Sequence, residues 1–436
     1  MTKRQLAADR ITALVSAWSG TIVVLLAATW RLWTPLRGTP RLAPLEAVEA
    51  IPPAIDFALL ALLAYGLLRT LRAAFTSELK ASPRCQSGVE TQYPVHTHDL
   101  YRGFAINRLG VLIATVALTA LMLLDQLRWQ PWAYNAVIVG VILSNSASTQ
   151  AFRLLRIVAI AVYAYSSIAK LDVEFASTLG QQMLAAAGLD LTSWSGASRV
   201  AIALLVPSVE LAVAALLAAS LRVDRLRKVA CIAVIAMHTA TIAVLGPWAL
   251  GHSLGVLLWN VGFAAQTVIL FWPRADESSE RVTRSSRFAI AACGLAVLAP
   301  ALTPLGLWDQ WPGWALYAPR GERATLFIHT GSVERLPKSL KPHIEESSEG
   351  PWRRVRLNEW ALAETGAPIY PQNRIVAAIA MGLLERYPLT GRVRVIEESA
   401  ASPLSRKRRV AEHTGTPAIA NAANLIGLQP GITWTK

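Results

Sequence analysis

Up to residue 305 the chain alternates long apolar runs with short polar stretches; after it the long runs stop. Windows of mostly apolar residues near the length that crosses a bilayer's hydrocarbon core, about 20 residues, fall at 14–32, 53–71, 104–124, 132–148, 153–170, 199–221, 228–246, 253–272 and 287–305. The pattern predicts an all-α polytopic membrane bundle of about nine transmembrane helices over residues 1–305. The fourth window is short and runs into Ser144-Asn-Ser-Ala-Ser-Thr149, which suits a tilted or re-entrant helix. Beyond the bundle, 323–330 and 392–398 alternate like strands, while 371–387 has a helical period with Pro371 at its start. A small C-terminal α+β domain is therefore expected over residues 306–436, ending in a mobile tail. Trp308, Trp311, Trp314 and Tyr317, between the two regions, suit a membrane interface.

Loop charge sets the expected orientation, because Lys and Arg accumulate on the cytoplasmic side. Lys3, Arg4 and Arg10 open the chain, and alternate loops carry Arg69, Arg72, Lys80, Arg84 and Arg102, then Arg153 and Arg156, then Arg222, Arg225, Arg227 and Lys228, then Arg274, Arg281, Arg284 and Arg287. The intervening loops are poorer in basic residues. Nine spans with a cytoplasmic N-terminus and an extracytoplasmic C-terminal domain satisfy this alternation. The first apolar run is long and lacks a small-residue cleavage site, so it reads as an uncleaved signal anchor in a bacterial-type cytoplasmic (inner) membrane.

Composition agrees with the pattern: 53% of the 436 residues are hydrophobic and only 16% charged. The net charge of +14 would suggest nucleic acid in a soluble protein, but no nucleic-acid-binding motif accompanies it, and membrane lipids with anionic head groups are the expected neighbours. Cys231 and Cys293 lie in apolar runs and Cys85 in a polar loop, so no disulfide framework is indicated. His96 and His98 form an isolated His-x-His pair that reads as solvated loop, and no metal site is expected.

The richest stretch is Tyr163-Ala-Tyr-Ser-Ser-Ile-Ala-Lys-Leu-Asp172, at the end of the fifth run. Helical spacing puts Tyr163, Ser166 and Lys170 on one face with Ser167 beside them. A charge there is costly and marks a functional candidate. Two readings are open: Lys170 snorkels to the interface, or it lines a dehydrated pocket and acts as a base. Glu210, after Pro207, and His238 lie within the sixth and seventh runs. Each is either a neutral group bonded between helices or part of a site. Asp125 and Arg128, at a helix end, read as a structural polar cap or as the frame of a pocket entrance. No phosphate-binding loop, dinucleotide fingerprint, zinc-protease motif or nucleophile elbow occurs in a supporting context.

Taken together, Ile168-Ala-Lys-Leu-Asp172 followed by Val173-Glu-Phe175, the Leu-Asp-Gln-x-Arg-x-Gln-Pro turn from Leu124, Ser208-Val-Glu-Leu-Ala212 and Met237-His-Thr239 resemble the horizontally transferred transmembrane (HTTM) domain of the vitamin K-dependent gamma-carboxylase family. The likeness covers residues 14–305. It implies Lys170 as the base that starts oxygenation of a lipid quinol, with Glu210 or His238 orienting that vitamin K-like cofactor. The chain departs from the family before the lysine, where Ser144 to Thr149 stand in place of a His- and Asp-containing stretch, and again after residue 305. The resemblance therefore carries quinol chemistry, not carboxylation of protein glutamate. The alternatives are a non-catalytic scaffold or lipid-binding protein whose outer domain engages a periplasmic protein partner, and a transporter built on Glu210, His238 and the proline-broken helix.

Overall fold

The computed structural model describes residues 3–44, 48, 50–81, 97–273, 286–346, 350–402, 407–423 and 431–433. Cys85, His96, Arg84, Arg274, Arg281 and Arg284 lie outside the described residues, as do the side chains of Lys3, Arg4, Lys80, His98 and Arg102. Most of the described chain is helical. Its first part runs through α1 (Lys3–Ala28), the short α2 (Trp30–Trp33), α3 (Ile55–Ala81), α4 (Thr97–Leu123), α5 (Pro131–Asn145) and α6 (Ser148–Ile168). It continues through the short α7 (Val173–Ser177) and α8 (Leu179–Ala186), then α9 (Gly196–Ala203), α10 (Leu205–Ser220), α11 (Arg225–Leu245), α12 (Leu254–Phe271) and α13 (Arg287–Leu298).

Seven stretches among the described residues are long and apolar enough to cross a membrane: Arg10–Ala28, Ile55–Ala74, Ser148–Ile168, Gly196–Ser220, Arg225–Leu245, Leu254–Phe271 and Arg287–Leu305. The other two expected segments are helical but shorter, Arg108–Leu123 within α4 and the 15-residue α5. Leu62, Leu68, Val116, Val229 and Ile232 are exposed although apolar. Such faces suit lipid, where outward apolar side chains cost nothing.

Small residues let the helices approach closely. A Cβ on Gly66 of α3 would stand 2.6 Å from the Ala114 backbone nitrogen of α4, so these two backbones meet where only glycine fits. At one end of the bundle Arg10 and Arg156 both donate to the Leu270 carbonyl, at the C-terminus of α12, where the helix dipole favours cations. At the opposite end a buried knot of charge joins the first loop to α3 and the α4–α5 turn. Arg37 pairs with Asp125 and Arg128 with Asp56, and Asp125 also accepts from the backbone of Leu42 and Leu127.

The α9–α10 break follows from Pro207. Its ring clashes with the carbonyl four residues earlier, that of Ala203, and α9 ends at Ala203.

The C-terminal region holds an antiparallel sheet of order β3-β2-β4-β5, with β2 Arg323–His329, β3 Trp352–Val355, β4 Val393–Glu398 and β5 Val410–Thr414. β1 (Arg41–Ala43) pairs with β6 (Gly431–Thr433), which ties the first loop to the tail. Alternation buries Leu326 and Ile328 of β2 and Val393 and Val395 of β4 against α15 (Asn373–Arg386). That helix buries Ile375, Ile379 and Leu383 along one stripe. α14 (Leu357–Thr365) precedes it and α16 (Thr416–Ala423) follows β5.

This domain packs on the end of the bundle that carries Lys170. Arg374 of α15 pairs with Asp309 and reaches Gln126. Gln130 donates to the Pro368 carbonyl at 3.2 Å, and Arg408 binds both carboxylate oxygens of Glu174 at 2.9 and 2.8 Å. Burial lowers the Arg374 pKa, but its hydrogen-bonded pair with Asp309 outweighs that and leaves it raised overall.

Candidate functional site

Lys170 lies just past the C-terminus of α6, where Asp172 caps α7 by accepting from Phe175 N at 2.9 Å. This tight reversal keeps the lysine at the helix end and turns its side chain inward, 9% exposed. Its ammonium has three donors and meets three acceptors: Glu210 Oε2 at 2.8 Å, Ser166 Oγ at 2.7 Å and the Leu316 carbonyl at 3.4 Å. Glu210 comes from α10, one turn beyond Pro207. Ser167 fixes the register of the two helices by donating to the Pro207 carbonyl at 2.6 Å.

A second polar chain runs one helical step deeper. Asn260 of α12 donates its amide to the Val256 carbonyl, so its Oδ1 accepts from His238 Nδ1–H at 2.8 Å. That tautomer leaves His238 Nε2 to accept from the Tyr163 hydroxyl at 2.8 Å. Phe263 packs 5.1 Å from the Tyr163 ring.

Both groups face one cavity of about 910 Å³. Tyr163, Ser166, Lys170, Glu210 and His238 all line it; Ser167, Asp125 and Arg128 do not. Asp125 and Arg128 instead belong to the buried charge knot, both 0% exposed. The walls are mainly apolar, with Trp259, Phe263 and Trp311 among them, and the C-terminal domain contributes Leu362, Ala367 and Ile369. Val209, Ala240 and Ala187 belong to the wall and are exposed.

Sequence reasoning missed several wall residues. Asn260 reads as an ordinary polar residue in an apolar run, and nothing local links it to His238. Tyr317, grouped by the sequence with the interface tryptophans, and His252 sit in connecting segments between or after the spans; for His252 the signal is a histidine in a loop otherwise free of charge, directly before an apolar run. No group of three or more His, Cys, Asp or Glu suited to a metal ion occurs among the described residues. No protein-family model, curated protein or solved structure matches the chain.

Proposed function

We propose that this protein is a membrane enzyme of the gamma-carboxylase-like, HTTM kind, with nine membrane crossings and its C-terminal domain on the extracytoplasmic side of a bacterial-type inner membrane. Its substrate is a lipid quinol bound in the cavity. The observation that carries the reading is the Lys170–Glu210 pair on the wall of a large, mainly apolar cavity. A chamber of about 910 Å³ lies in the range of small-molecule sites, and Trp259, Phe263 and Trp311 offer flat faces for a ring. The residues fit such a group.

The chemistry of the chain's own residues follows from the pair. All three donors of the Lys170 amine are engaged, so it acts as a base only once one of them is released. Filling the cavity with an apolar molecule removes water and disfavours separated charge, so the proton between Lys170 Nζ and Glu210 Oε2 shifts toward the carboxylate. The neutral amine then accepts a hydroxyl proton from the bound ring, and Glu210 holds the proton it received. A bound quinol would supply two electrons to molecular oxygen and leave as the quinone, its two hydroxyl protons ending on the hydrogen peroxide formed. General-base catalysis of this kind contributes roughly 10²–10⁴-fold.

The test is oxygen uptake by purified protein in nanodiscs given a short-chain naphthoquinol. Loss of uptake in Lys170→Ala, with cavity binding retained, is the expected result; equal uptake in the variant would refute the role of Lys170. A second reading is favoured by the complete bonding of the Lys170 ammonium: the bundle holds a lipid or quinone without turnover. In that case Lys170→Ala leaves no turnover to lose, and deletion of the C-terminal domain abolishes function.

A further inference from the structure

Of the six ionisable side chains in the cavity wall, four are already engaged by the protein. Lys170 spends its three donors on Glu210, Ser166 and the Leu316 carbonyl. His238 spends both ring nitrogens on Tyr163 and Asn260. Two wall residues differ. The His252 ring makes no hydrogen bond or ion pair with any described residue, and its one close partner is the ring of Tyr317, edge-on at a centroid distance of 5.2 Å. The Tyr317 hydroxyl is buried and also has no hydrogen-bond partner among the described residues.

Both are held in place by backbone, not by their polar atoms. His252 follows the end of α11 in a turn closed by Leu250 N to Val244 O at 3.2 Å, Gly251 N to Gly246 O at 2.9 Å and His252 N to Leu245 O at 2.9 Å. Gly251 supplies the positive φ of +65° that this turn requires. Tyr317 itself adopts φ of +56°, an unusual conformation for a bulky residue. It directly follows Leu316, whose carbonyl contacts Lys170, so the pair borders the lysine site. Buried polar groups are normally satisfied, and strained backbone concentrates where a ligand is held.

We infer that His252, packed edge-on against the Tyr317 ring, forms a second polar contact of the cavity, which binds a second oxygen of a hydroxylated-ring ligand. This rests on the quinol reading above and assigns the residue that meets the oxygen not held at Lys170. His252 offers a ring nitrogen as acceptor, while the Tyr317 hydroxyl is closed off from the cavity. Burial holds the His252 imidazole below its ordinary pKa and the Tyr317 phenol above its own, so both are neutral near pH 7 and suited to a neutral ring.

The test uses full-length protein in nanodiscs and a short-chain naphthoquinol, read by quenching of tryptophan fluorescence, with Trp259 and Trp311 in the wall as reporters. His252→Phe is expected to weaken binding about tenfold, the loss of about one hydrogen bond. A naphthol bearing one hydroxyl should lose its discrimination between wild type and His252→Phe in one of its two orientations, so the ratio falls. Diethyl pyrocarbonate labelling of the wild type, mapped by mass spectrometry, needs no variant: His252 is modified, His238 is spared, and the quinol protects His252. If the quinol binds wild type and His252→Phe equally and leaves His252 unprotected, the inference is overturned while the quinol reading stands. If no quinol or naphthol binds the wild type, the quinol reading fails and this inference falls with it.

Discussion

At the residue scale, the pairing of Lys170 with Glu210 decides what each can do. Removing the amine strands a carboxylate whose side chain keeps only 18% exposure. Breaking a fully buried pair costs about 3–5 kcal/mol, and this pair less in proportion to its exposure. Lys170→Met is therefore expected to lower the melting temperature, and Lys170→Met with Glu210→Gln to restore part of it. A double-mutant cycle by thermal unfolding in detergent checks this; additive losses would show the pair uncoupled. Arg128, sealed with Asp56 and Asp125, has no such outlet, and Arg128→Met should cost about 3–5 kcal/mol. An unchanged melting temperature would contradict that. His252 makes a pH prediction. Burial lowers its pKa from the ordinary 6.5, so below that value the unfolded chain binds the extra proton more readily than the folded one. Its contribution to stability is intact above pH 6.5 and is lost as pH falls through it. Wild type should lose more melting temperature between pH 7.5 and 5.5 than His252→Gln does, and identical losses would exclude this role.

At the element scale, the legibility of the chain followed the strength of its periodicity. Each of the nine apolar windows coincides with helix, because a long apolar run has one stable solution in lipid. The strands at 323–329 and 393–398 and the helix at 373–386 were likewise visible, since alternation and the helical period survive in short elements. The face shared by Tyr163, Ser166 and Lys170 was readable for the same reason. What spacing within one helix does not encode is which helices meet. Glu210 reaching Lys170, and Asn260 fixing the tautomer of His238, depend on packing between segments 22 to 40 residues apart. Asp125 and Arg128 were recognisable as a polar pair, yet their burial with Arg37 and Asp56 depends on the first loop folding back. Gly366 tests the docking of domain and bundle. It has φ of +71°, and a Cβ there would lie 2.7 Å from the Ala28 carbonyl at the end of α1. Gly366→Val should loosen the domain, seen as faster proteolysis of residues beyond 366 and higher amide exchange in α14; unchanged protection would show that the contact is not a constraint.

At the scale of the whole molecule, the C-terminal domain is part of the cavity wall and not a separate appendage. Leu362, Ala367 and Ile369 close the chamber from one side, while α6, α10, α11 and α12 close it from the other. This geometry explains why one chain combines an apolar bundle with a polar domain over Lys170. The most direct test is mass spectrometry of small molecules that co-purify with the protein from native membranes, comparing wild type with Ala240→Trp, which fills the wall. The account predicts a quinone or quinol at about one per chain in the wild type, by the size of a single drug-sized chamber, and its loss in the variant. Equal amounts of ordinary phospholipid in both, with no quinone in either, would contradict it.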